Sequence, residues 1–221
     1  SYNNSMYSGY MYGTSGTLAN NRTNENSSTI KEVIDTWYQN NLKTNYEKYL
    51  SKDAIYCSDR EIGKGNYCPN CSTTFYYAAY NRMSGTNIPT YDCNNNSDKF
   101  TVSASTGNGK LSYPIALMTA DEIKFAGGLV LNDATSWYYY NSAKTSSTGT
   151  NSWWLMTPDE WLGSYSHVYF VNGSGIPGHL HFTKVDNSKS VRPVISLKSC
   201  VKYSSGSSSN PYEIKETSSG C

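Results

Sequence analysis

The chain has 221 residues, enough to bury one large core or two small ones without relying on cross-links. Its 18 Lys+Arg against 17 Asp+Glu leave a formal charge of +1, which argues against the basic footprint of a nucleic-acid binder and against a polyacidic tail. Charged residues make up only 16% and apolar ones 37%; the balance is Ser, Asn, Thr, Gly and 21 Tyr, the mixture that binding loops favour because Tyr gives wide amphipathic contact at low entropic cost.

In chain order, residues 6–12 alternate and predict a first strand. Ile30, Val33, Ile34, Trp37 and Tyr38 recur at helical spacing behind a capping box of Thr29 and Glu32, so a helix is expected to pack that whole stripe on a sheet. Residues 54–56 and 74–80 read as short strands around a Gly/Asn/Cys loop over 63–72, and 92–110 as a polar loop. Residues 113–118 lead into a second helix with Thr119 at the N-cap, Glu122 three residues on, Met118 stapling onto Ile123, and Gly127-Gly128 ending it. The phrase Leu-Met-Thr-Ala-Asp-Glu at 117–122 returns at 155–160 as Leu-Met-Thr-Pro-Asp-Glu. Pro158 then falls at the first helical position, so a capped strand-to-helix turn is expected twice, in preference to a true internal duplication. From residue 153 onward the pattern is strand and turn, over 153–155, 167–171, 179–185 and 191–197. The core should stop near Leu197, giving a single domain over 1–198 and a Ser/Gly-rich extension or linker over 199–221.

No run approaches the roughly 18 apolar residues of a membrane span. Residue 1 onward lacks signal-peptide character, so an anchor or export signal is expected outside this stretch. Six cysteines in a charge-poor, Ser/Asn-rich chain point to an extracellular, cell-surface setting where disulfides persist. Six cysteines permit many connectivities; the pairing taken is Cys57 with Cys93, Cys68 with Cys71, and Cys200 with Cys221. The Cys-Pro-Asn-Cys run at 68–71 lacks a following helix to stabilise a thiolate and a second pair to complete a zinc site, so a structural disulfide is the preferred reading.

Leu117-Met118-Thr119 with Glu122 and Ala126-Gly127-Gly128 resembles a helix-opening stretch of the formylglycine-generating-enzyme branch of C-type-lectin-like folds. Trp153-Trp154-Leu155, Tyr169-Phe170-Val171-Asn172, the glycines Gly173 and Gly175, and Val191-Arg192-Pro193-Val194 resemble the ending of bacterial surface proteins with that fold. Tyr10 through Gly13, Ile30 to Trp37 and Cys57-Ser58-Asp59-Arg60 are similar to exported proteins of gut Firmicutes. The resemblance implies an α+β C-type-lectin-like domain, two helices flanking a twisted, mainly antiparallel sheet with long loops. It also implies kinship with variable proteins of diversity-generating retroelements, whose ligand-binding stretch would correspond to about 153–191. The catalytic cysteine pair of the formylglycine-generating branch has no counterpart, since no cysteine lies between Cys93 and Cys200. Calcium-lectin tripeptides are absent, as are nucleophile-elbow, nucleotide-loop and zincin motifs, so an enzyme is not expected.

Trp153, Trp154, Trp161, Tyr165, His167, Tyr169, His179 and His181 gather aromatic, hydrogen-bonding side chains in one region and are the candidate ligand-binding residues. Alternation sets His167 and Tyr169 on the face opposite Val168 and Phe170, and at least one of the paired tryptophans should be core. His179 and His181 share a face and could pair at a metal with His167 as a third nitrogen, but histidines lining a polar binding face are the preferred reading; no catalytic residue, metal or cofactor is expected. The expected function is non-catalytic, adhesin-like recognition by a bacterial cell-surface or pilus-linked protein. Its partner would be a surface glycan or protein of host, microbe or phage, with no nucleic acid and no membrane insertion of this segment. The alternatives are a structural spacer or pilus-subunit domain without ligand, and a divergent enzyme of the formylglycine-generating branch.

Overall fold

The computed structural model describes residues 10–14, 18–63, 75–132, 151–163, 165–173, 178–206, 213–216 and 221. Cys68, Cys71, most of the 63–72 loop and residues 6–9 of the expected first strand lie outside them. The chain is a mixed α+β fold with few helices and a curled, mainly antiparallel sheet.

Its first half supplies short elements that wrap the sheet: β1 (Met11–Tyr12), α1 (Leu18–Asn21), β2 (Asn26–Ser27), α2 (Thr29–Asn41), β3 (Tyr56–Cys57), β4 (Phe75–Tyr76) and α3 (Ala78–Tyr80), which runs into a π-helical turn over Asn81–Thr86. Of the described residues 75–80, only β4 is strand; the expected strand breaks where Ala78 and Ala79 turn the chain over the sheet. The cap of α2 is Ser28, which accepts from the Lys31 backbone N–H, one residue before the expected Thr29. The buried stripe is rotated accordingly. Lys31, Ile34 and Tyr38 face inward, with Tyr38 stacked on Tyr113 at 4.8 Å, whereas Val33 and Trp37 stay exposed at 51% and 43%. Lys31 can be buried because Asp35, one turn on, holds its ammonium at 2.5 Å.

β5 (Lys99–Phe100) pairs with β3, and the Cys57–Cys93 disulfide closes the same corner. Next come β6 (Ala116–Leu117) and α4 (Ala120–Phe125), whose capping box is complete: the Thr119 hydroxyl accepts from the Glu122 N–H at 3.0 Å, and the Glu122 carboxylate accepts from the Thr119 N–H at 2.7 Å. Thr119→Ala is expected to cost about 1 kcal/mol, read as a lower urea midpoint at unchanged m-value.

β7 (Leu129–Val130), β8 (Trp153–Trp161), β9 (Ser166–Val171) and β10 (His179–Lys184) build the main sheet with β4, in the order β4-β8-β9-β10-β7; only β7 and β10 run parallel. The second Leu-Met-Thr-x-Asp-Glu phrase thus does not open a helix. It lies wholly within β8, because β9 pairs it at Pro158 and Glu160 and pairs the flanking Trp153, Trp154 and Trp161, which holds the stretch between them extended. Pro158 sits at a register irregularity, where a missing N–H is tolerated. The two copies still meet: Met156 N–H donates to the Met118 carbonyl, and the Thr157 hydroxyl accepts from the Ala120 N–H at the start of α4.

Both faces of this sheet are covered. Trp154, Met156, Val168 and Phe170 join Tyr10, Ile34, Tyr38 and Phe100 in one cluster, while Trp153, Leu155, Tyr169, Val171 and Leu180 join Ala79, Met83, Ala120 and Ile123 in another. That is why β8 opens on an unbroken apolar run, Trp153 to Met156, instead of alternating. Strand structure over 191–197 is confined to β11 (Pro193–Val194), paired with β6. The tail forms a hairpin of β12 (Val201–Tyr203) and β13 (Ile214–Glu216), closed by the Cys200–Cys221 disulfide and tied to the body by Lys48–Glu216 at 2.7 Å.

Candidate functional site

Four of the expected ligand-binding residues are core. Trp153, Trp154 and Trp161 are 1%, 5% and 7% exposed and Tyr169 is 0% exposed, so none of these rings presents a face to a ligand. The physical reason is the double cover of the sheet, which leaves every residue of β8 buried. Trp161 stacks on Phe75 at 5.4 Å and Trp154 meets Phe170 edge-on at 6.1 Å. Arg192 lies 4.2 Å over the Trp153 ring.

Tyr165, His167, His179 and His181 remain half-buried. They divide between the two faces. The register pairs His181 with Phe170 and Phe182 with Tyr169, so His179 and His181 lie on the Phe170 face and His167 on the Tyr169 face. The three imidazoles cannot converge on one ion. On the first face His181 packs 5.5 Å from Phe170, and Lys189 reaches 4.3 Å over the same ring.

On the second face a row of rings runs across β9 and β10. Lys184 stands 4.6 Å over Tyr165, Tyr165 lies 5.5 Å from His167, and His167 lies 5.7 Å from Phe182, which meets Tyr169 edge-on. Phe182 and Lys184 were not among the expected site residues, although i, i+2 alternation along β10 would have placed them together.

The same row leads to an ionisable cluster. Between Pro158 and Glu160 the strand carries one more residue than its partner: Pro158 opposes Val168, Glu160 opposes His167, and Asp159 is the extra residue. Such a bulge re-aims side chains that strict alternation would send to opposite faces. Here Asp159, Glu160 and His167 each bring a ligand atom within 4.8 Å of the others, with His167 Nδ1 2.6 Å from Glu160 Oε1. Asp159 is fully buried, and neither of its carboxylate oxygens has a hydrogen-bond partner. Burial pushes its carboxyl up to about 8; the facing Tyr169 hydroxyl offsets part of that and the Glu160 charge adds to it. Burial, then the Asp159 charge, raises Tyr169 well above the usual phenol range. Tyr76 is raised by burial and then by Glu160. A second acidic site, Asp121, is by contrast well paired: Arg82 grips it through two nitrogens at 2.8 and 3.0 Å and reaches Asp59 at 2.8 Å.

No family model, curated protein or solved structure matches this chain. Its function is therefore argued from its own residues.

Proposed function

We propose that this chain is a non-catalytic extracellular recognition domain of the C-type-lectin-like kind, displayed on a bacterial surface or pilus. Its ligand face is the half-exposed row of Tyr165, His167 and Phe182 with Lys184 at one end. That row is the observation carrying the reading: neighbouring, mutually tilted rings with a cation beside them suit contact with a sugar face or anchoring of a protein surface. The Tyr- and Ser-rich composition and the disulfides Cys57–Cys93 and Cys200–Cys221 support an extracellular setting. Among the described residues no helix is long and apolar enough to cross a membrane.

The test is a binding screen of the protein against glycan and surface-protein arrays, beside a Tyr165→Ala/Phe182→Ala variant whose folding is checked by circular dichroism. The expected result is a hit that the variant weakens at least about 10-fold, since anchoring aromatics typically carry such losses. A hit retained by the variant would move the site elsewhere. No hit, with filaments or stable oligomers instead, would favour a structural spacer.

A further inference from the structure

We propose that Asp159, Glu160 and His167 form a site for one divalent transition-metal ion of borderline character, with Zn2+ as its type. Three observations carry this, and none depends on the recognition reading. The first is convergence: a bulge in β8 turns two consecutive carboxylates toward one imidazole on β9, and the three ligand atoms lie within 4.8 Å of one another. The second is an unmet need. Asp159 lies at the floor of the cluster with 0% exposure and with both carboxylate oxygens unpartnered, where a buried carboxylate ordinarily finds donors or a cation. The third is charge: with the Asp159 proton displaced to solvent on binding, two carboxylates and a neutral imidazole neutralise a dication.

The donor set narrows the ion. Imidazole disfavours Ca2+ and Mg2+, which prefer all-oxygen shells, and the absence of thiolate disfavours soft ions. One nitrogen and two carboxylate oxygens suit Zn2+, with Mn2+ as the harder competitor. Bonds of about 2.0 Å place tetrahedral ligand atoms roughly 3.3 Å apart, so binding would open the 2.6 Å His167–Glu160 hydrogen bond slightly and draw Asp159 inward. The His167 side chain, 16% exposed, marks the side from which an ion or a fourth ligand would enter. Tyr169, whose hydroxyl faces Asp159, is the neighbour best placed to orient that carboxylate.

The experiment is titration calorimetry of the full chain, stripped with chelator, against ZnCl2 and MnCl2, with thermal unfolding in parallel. Asp159→Asn, His167→Gln and His179→Ala/His181→Ala are compared with the parent. The expected result is one Zn2+ per chain, bound more tightly than Mn2+. Asp159→Asn and His167→Gln should each weaken Zn2+ at least about 100-fold, the upper end of what losing even an outer-sphere partner costs; the His179/His181 pair, on the opposite face, should change nothing. Zn2+ should raise the melting temperature of the parent and not of Asp159→Asn, although in chelator Asp159→Asn should melt at least as high as the parent, because it no longer buries an unpaired acid. Absence of 1:1 binding, binding that survives in both Asp159→Asn and His167→Gln, or binding lost only with His179 and His181 would overturn the assignment. His167→Gln, near the surface, keeps the test decisive if Asp159→Asn does not fold.

Discussion

Arg60→Ala is expected to lower the free energy of unfolding by about 3–5 kcal/mol, the usual cost of breaking a buried ion pair by removing one partner. Arg60 is 1% exposed and Asp98 2%. The guanidinium bonds Asp98 at 2.8 and 2.9 Å, donates to the Ser97 carbonyl at 3.0 Å and to the Met11 carbonyl at 3.3 Å, and lies 5.6 Å from the Phe100 ring centroid. One side chain therefore joins β1, the β3–β5 corner and the loop before β5. Its loss would strand a buried carboxylate with little beyond the Arg60 N–H, at 3.0 Å, to hold it. Urea unfolding checks the magnitude. Arg60→Met/Asp98→Asn should recover part of the loss, because the double change leaves no unpaired charge; a double variant worse than Arg60→Ala alone would mean that shape, not charge, dominates this corner. Hydrogen exchange should also rise first at β1, which Arg60 tethers through the Met11 carbonyl, and at β2, which pairs with β1.

The helix at α4 was legible in the sequence because everything that specifies it lies within ten residues: Thr119, Glu122, the Ile123 contact and the two glycines. The repeated phrase at 155–160 carries the same local signals and becomes strand, since its fate is decided by β9, a partner across a turn that a local motif does not encode. Alternation placed His167 and Tyr169 correctly on one face, yet it could not reveal that both faces are covered, and so it offered tryptophans as ligand contacts that are core. The Asp159–Glu160–His167 cluster was missed for a related reason. It exists because of a bulge, a property of register between two strands, and strict alternation would separate Asp159 from Glu160. The signal that could have found it is the pair of acids beside Pro158, since a proline inside a strand announces a break in the ladder.

Trp154→Ala separates a core tryptophan from a recognition tryptophan. Trp154 is 5% exposed and packs against Phe170 in the cluster that includes Tyr10, Ile34 and Phe100. Removing its indole deletes a large buried surface and leaves a cavity that the flanking strands, held by the β8–β9 ladder, cannot close, so about 3–5 kcal/mol of stability should be lost. Trp154→Phe, which keeps a ring against Phe170, should lose distinctly less. Phe182→Ala is the contrasting variant: its ring is half-buried between His167 and Tyr169, so it should cost less stability and act on ligand binding instead. Denaturant midpoints measured beside binding titrations would resolve the two effects. Should Trp154→Ala unfold at the parent's midpoint while binding is lost, the indole would have to face the ligand, and the two-sided core assigned to β8 would be wrong.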